Sequence, residues 1–189
     1  MGCDIHMYAE VWKDDSWTKV GNTWKQDYGD GLTDEPYDER NYRLFGLLAN
    51  VRNGYGFAGC NTGDPVEPID MPRGLPDDVS DGVRAISDEW DCDGHSHSWL
   101  TLQELLDVDW YGQALTVRGF VTKEQAEEYR KYATLPESWC GGTTDPDAIQ
   151  IEWSSGYYDS MKYFVDVTIP RLQELGDPDS VRIVFFFDN

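Results

Sequence analysis

Two segments at opposite ends of the chain constrain its fold most. Residues 3–12 (CDIHMYAEVW) alternate: Cys3, Ile5, Met7, Ala9 and Val11 interleave with Asp4, His6, Tyr8, Glu10 and Trp12. A period of two marks a half-buried strand, because successive side chains of an extended backbone point to opposite faces. Residues 181–187 (VRIVFFF) are apolar almost throughout and predict a buried strand. Strands at both ends with helical patterns between them predict an α+β fold. We expect a small mixed or antiparallel sheet with the N- and C-terminal strands central, packed by several short helices and long loops. At 189 residues the chain fits one domain, 1–189.

The intervening elements follow from local chemistry. Residues 16–24 predict a second strand, joined to the first by a turn at Lys13-Asp14-Asp15. The acidic stretch Gln26 to Arg40 predicts a loop. From Asn41 to Arg52, Leu44, Leu47, Leu48 and Val51 fall at helical spacing, and Asn53-Gly54 stops the run. Tyr55 to Pro76 is a long irregular segment rich in Gly and Pro, the kind of loop that is more often functional than idle. A short helix is expected over Asp78 to Trp90. Thr101-Leu102-Gln103-Glu104 and Thr122-Lys123-Glu124-Gln125 are capping boxes that open two more helices. Residues 148–153 predict a strand, and Ser160 to Leu175 a helix that Pro170 kinks or divides.

Charge narrows the function classes. With 36 acidic against 15 basic side chains, the formal net charge is −21. That field repels nucleic acid backbones and anionic membranes, so neither is an expected partner. Three readings of the charge remain: a solvated acidic surface, mimicry of DNA, and attraction of divalent cations. No run of 18 apolar residues suggests a membrane span, and the N-terminus lacks the basic start and apolar stretch of a secretory signal. The four cysteines form no C-x-x-C pair. We therefore expect a cytoplasmic protein with free thiols.

All three histidines sit beside aspartates, in Asp4-Ile5-His6 and Asp93-Gly94-His95-Ser96-His97. On an extended backbone Asp4 and His6 project the same way, about 7 Å apart. The same alternation would put His95 and His97 on one side. Brought together, Asp4, His6, His95 and His97 would offer three nitrogens and an oxygen to Zn, Mn or Fe. Asp93 would be a further ligand or would orient an imidazole. The same five residues are the candidate catalytic groups, with a divalent metal as cofactor and no dinucleotide. Metal-free acid–base chemistry is a second reading, with Ser96 or Ser98 beside a histidine oriented by Asp4 or Asp93. In a third, these polar groups satisfy backbone donors ahead of the Thr101 helix, and Asp4 and His6 pair with Arg182 or Asp188.

Several other residues could bind substrate. Arg73 could capture a phosphate at a pocket mouth, and Trp99, Tyr157 and Tyr158 could supply stacking rings. Arg43, Arg52, Arg73 and Arg84 could together line a basic pocket in an acidic shell. Gly54-Tyr55-Gly56-Phe57-Ala58-Gly59 follows a helix and lacks a Lys-Ser/Thr ending, so a phosphate-binding loop is not expected there.

The motifs MGCDIH, RNYRLFGLLANVR, PRGLPDDVS, DGHSHSWLTLQELL and VRIVFFFDN together resemble a family of small proteins encoded by phages and bacteria. The resemblance spans residues 1–189 and is weakest across 20–40 and 55–68. It implies a phage or mobile-element setting, hence host cytoplasm, and no particular reaction. The residues themselves suggest a metal-dependent hydrolase of a phosphoester or nucleotide. Two alternatives belong to other classes. One is a non-catalytic anti-defence protein that sequesters a host nucleotide signal; the other is an acidic protein-level inhibitor. The expected partner in the first two is a small nucleotide or phosphoester, and the oligomeric state is left open.

Overall fold

The computed structural model describes residues 2–25 and 31–189. The fold is α+β, built around a four-stranded antiparallel sheet. Its strands are β1 (Asp4–Lys13), β2 (Ser16–Lys19), β5 (His95–Thr101) and β8 (Val181–Asp188), in the order β2-β1-β8-β5. The first and last strands of the chain lie side by side as the patterning predicts, with Ile5 opposite Phe187 and Val11 opposite Val181. Asp14 and Asp15 make the β1–β2 turn with φ of 50° and 60°. Positive φ at both central residues is the geometry of a type I′ turn, one of the two favoured in two-residue hairpins.

The sheet is covered on both faces, which explains why β8 is apolar at nearly every position. On one face Ile5, Met7, Ala9, Ile183, Phe185 and Phe187 enter the main core. That core is closed by α1 (Tyr42–Ala49), whose Phe45 ring sits 5.1 Å from Phe187, and by α3 (Leu102–Leu106). On the other face Tyr8, Val184 and Phe186 pack under α2 (Asp81–Trp90) through Val83. The one charged residue of 181–187, Arg182, is 2% exposed and bonds the fully buried Glu10 at 2.7 Å and Asp78 at 2.9 Å. Glu10 in turn accepts the backbone N–H of Ser80, which caps α2. Buried charges are tolerated when paired and hydrogen-bonded in this way.

The helix expected over 41–52 spans 42–49 and is capped by Asn41, whose side chain accepts from the backbone N–H groups of Arg43 and Leu44. It ends at Asn50, left-handed at φ 56°, three residues before the Asn53-Gly54 stop expected from sequence. Both capping boxes form as predicted, at α3 and at α4 (Lys123–Tyr132). The helix expected over 160–175 accommodates Pro170 without a sharp break. Residues Phe164–Thr168 form a π-turn, followed by α6 (Ile169–Gln173) with Pro170 in its first turn, where a missing N–H costs least. A one-turn α5 (Tyr157–Ser160) precedes them.

Three strands outside the main sheet were not foreseen, nor was β5 within it. β6 (Ala114–Val121) pairs antiparallel with β7 (Ile149–Gly156), which extends the strand predicted at 148–153. β3 (Trp24–Lys25) and β4 (Leu32–Thr33) form a two-residue ladder inside the span assigned to a strand end and a loop. Residues 26–30 of that expected loop lie outside the described residues. Leu115, Val117, Ile151 and Trp153 join the same continuous core as β1 and β8. No helix among the described residues is long and apolar enough to cross a membrane.

Candidate functional site

The Asp4-x-His6 pair projects from one face of β1, as its spacing predicts, and opposes Asp188 and Phe186 on β8. His6 packs against Trp90 of α2, with centroids 4.1 Å apart, and against Phe186 at 5.1 Å. Its Nε2 lies 3.4 Å from Asp188 and its Nδ1 3.5 Å from Glu35. Burial pulls the His6 pKa down, but the hydrogen bonds and charges of Glu35 and Asp188 outweigh it and hold the pKa above the ordinary histidine value. Asp4 is occupied elsewhere. Its carboxylate takes two hydrogen bonds from the Arg40 guanidinium, one of 2.7 Å from Nε, and these hold its pKa below the usual carboxylate range.

The second motif behaves differently from the alternation expected of it. His95 pairs with Phe187, whereas Ser98 pairs with Phe185, so three steps on β5 match two on β8. The extra residue is accommodated at Ser96, whose φ is +52°. Such a bulge re-aims the side chains around it. His95 stacks on Phe187 and bonds Asn189, while His97 stacks on Phe186 at 4.9 Å and bonds Ser87 of α2 at 2.9 Å. Phe186 and Phe187 are adjacent on a strand and face opposite ways, so His95 and His97 do not share a side.

His6 and His97 do share a face, but they stand on the strands either side of β8 with the Phe186 ring between them. A shared ion would have to occupy the volume of that ring. Among the described residues no group of three or more His, Cys, Asp or Glu is placed to hold a metal ion. Asp93 is exposed at the end of α2, with its backbone N–H on Trp90. The five expected catalytic residues are therefore split among an ion-paired rim, two stacked imidazoles and a solvent-facing turn. Burial, reinforced by the neighbouring His95, pushes the His97 pKa below its ordinary value, opposite in sign to His6.

The expected substrate-binding residues are also engaged. Arg73 bonds Glu104 and Asp70 and lies over the Trp99 ring at 4.7 Å, closing the 70–74 loop onto the α3 capping box. Tyr157 is buried, and the Tyr158 hydroxyl bonds Asp166 at 3.0 Å. Of the arginines expected to line a basic pocket, Arg52 bonds Gly2 and Asn189, and Arg84 bonds the carbonyls of Pro76 and Asp77.

Arg43 is the exception. It stands in the first turn of α1 and lines a groove of about 1310 Å³ with Arg40, Phe57, Phe120, Trp139 and Cys60. Its guanidinium carbon lies 5.3 Å from the centroid of a Trp139 ring. Burial lowers its pKa, and among the described residues no carboxylate offsets that desolvation. In a chain with 36 acidic side chains, a half-buried cation that faces a cavity and pairs with no carboxylate among the described residues is an unexpected electrostatic feature of the fold.

Backbone hydrogen bonds hold the groove walls, and glycine permits two of the close approaches there. The 54–62 loop closes through Gly56 N–H to Cys60 and Thr62 N–H to Gly54, then docks on β6 through Arg118 N–H to Thr62 at 2.8 Å. A Cβ on Gly63 would come within 2.1 Å of the Thr116 carbonyl oxygen. On the opposite wall Cys140 exchanges two backbone hydrogen bonds with Phe120 of β6. Trp139 packs against Gly119, where a Cβ would meet its ring at 2.5 Å. The sequence reading placed Arg43 in a pocket but missed Arg40, Phe57, Phe120 and Trp139. The Gly54–Gly59 run and Gly141-Gly142 were the available signals, since glycine clusters mark close backbone approach.

Against this geometry, no protein-family model, curated protein or solved structure matches the chain.

Proposed function

We propose that this protein binds a small anionic, ring-bearing ligand of the nucleotide class in the Arg43 groove and acts by sequestering it. The half-buried guanidinium of Arg43, set in the groove wall over Trp139 with no carboxylate partner among the described residues, is the observation that carries the reading. An anion placed there would form charge-assisted hydrogen bonds, which are the strong ones, in surroundings that screen them weakly. The aromatic walls of Phe57, Phe120 and Trp139 suit a planar base. The net charge of −21 disfavours a polynucleotide, whose phosphates would meet the whole acidic surface. A small ligand meets only the local cation. Metal-dependent hydrolysis at Asp4, His6, His95 and His97 is less well supported, because Phe186 separates His6 from His97 and His95 faces the other way.

The test is to denature purified protein and separate the small molecules it releases by anion-exchange chromatography. We expect a nucleotide from wild type and none from Arg43→Gln. Re-adding that nucleotide and recovering it unchanged supports sequestration, whereas its conversion to product makes the protein an enzyme. Nucleotide-free wild type that also shows no heat with pyrophosphate or nucleotides in calorimetry overturns the reading.

A further inference from the structure

The N-terminal motif, which the groove itself does not use, forms a socket for the second arginine at the groove rim. Arg40 lines the groove and bonds Asp4 bidentately. Its guanidinium also lies against the backbone of Gly2: a Cβ there would stand 2.9 Å from Arg40 Nη1. Asp4 is itself fixed, since its backbone N–H donates to Asp188 at 3.1 Å, and the other Asp188 oxygen is the one nearest His6. Gly2 thus supplies the space, Asp4 the counter-charge, and His6 with Asp188 the anchorage. Both members of the Arg40–Asp4 pair are close to half exposed, at 47% and 44%. Water screens even a bidentate pair that is this exposed, so a ligand phosphate, which carries more charge than the carboxylate, can displace it.

We infer that Arg40 is a second ligand-binding residue, and that Asp4 is a built-in competitor that holds it until an anion enters the groove. This deepens the reading of the Arg43 groove and rests on it. Arg40 would turn from Asp4 to the ligand, bringing a second bidentate donor to the phosphate beside Arg43.

The experiment is calorimetric titration of the full chain with inorganic pyrophosphate. Arg40→Gln should weaken binding about tenfold. Asp4→Asn should tighten it about two- to fivefold by freeing the guanidinium. Gly2→Ala should act in the same direction without changing charge, because the new methyl displaces Arg40 from its socket. The decisive arm is the pair Asp4→Asn with Arg40→Gln, in which the gain from Asp4→Asn should vanish. A gain that persists there is a general field effect and overturns the inference. So does unchanged affinity in both Asp4→Asn and Gly2→Ala, provided circular dichroism shows the fold intact. The parent reading fails separately: wild type then ignores pyrophosphate, or Arg43→Gln binds it equally well.

Discussion

The guanidinium of Arg43 and the indole of Trp139 form one wall of the groove, 5.3 Å apart, and the indole is seated by the missing side chain of Gly119. Stacking of this kind fixes the cation's position without neutralising it. Gly119→Ala should therefore push Trp139 off β6 and shift its emission, while weakening nucleotide or pyrophosphate affinity. Steady-state fluorescence and titration on the same sample check this. Unchanged emission with unchanged affinity would mean that Trp139 does not shape the site.

His6 and His97 should titrate in opposite directions from the ordinary histidine value of 6.5. Two-dimensional NMR of the imidazole C–H signals should give His6 a midpoint above 6.5 and His97 one below it. A common midpoint for the two rings contradicts the geometry described for them.

The same shifts set a stability profile. His6 gains proton affinity on folding, so its contribution is complete below the unfolded value and is lost as pH rises through its raised folded pKa. His97 loses proton affinity on folding, so stability falls as pH drops from 6.5 toward its lowered folded pKa. Thermal melts from pH 5 to 9 should show both slopes. His6→Gln should flatten the alkaline one, and His97→Gln the acidic one.

The Glu10–Arg182 pair joins β1 to β8 under α2 with neither side chain more than 3% exposed. Removing Arg182 leaves Glu10 buried and uncompensated, so Arg182→Leu should cost about 3–5 kcal/mol, whereas Glu10→Leu should cost less, because Arg182 keeps its bonds to Asp78. The double change Glu10→Leu with Arg182→Leu should cost clearly less than the sum of the two. Urea denaturation checks this; additive losses would show that the ion pair is not the unit that matters.

Much of the sheet was legible in the sequence because its strands carry strong period-two or continuous apolar patterns. The pairing of Ile5 with Phe187 follows from two hydrophobic strands that each need a covered face. Both capping boxes were legible because their reciprocal hydrogen bonds are local in sequence. β6 was missed although Leu115, Val117 and Val121 alternate, because its charge and glycine at 118 and 119 interrupt the pattern. The candidate site was legible only in fragments. His95 and His97 diverge because one residue, Ser96, adopts a positive φ that nothing in an H-x-H motif announces. Arg43 became distinctive only because no carboxylate among the described residues pairs with it. Whether an arginine finds a carboxylate depends on which of 36 acidic residues tertiary packing brings near, and no spacing rule carries that information.

The central claim is that the groove binds its ligand through Arg43. The most direct measurement is the dissociation constant for pyrophosphate and for nucleotides at physiological salt, for wild type, Arg43→Gln and Arg43→Lys. A lost charge-assisted contact of about 1.5–3 kcal/mol predicts affinity lower by tenfold to more than a hundredfold in Arg43→Gln. Arg43→Lys should recover only part of the loss, since an ammonium lacks the planar fork. Equal affinities in all three proteins would contradict the account.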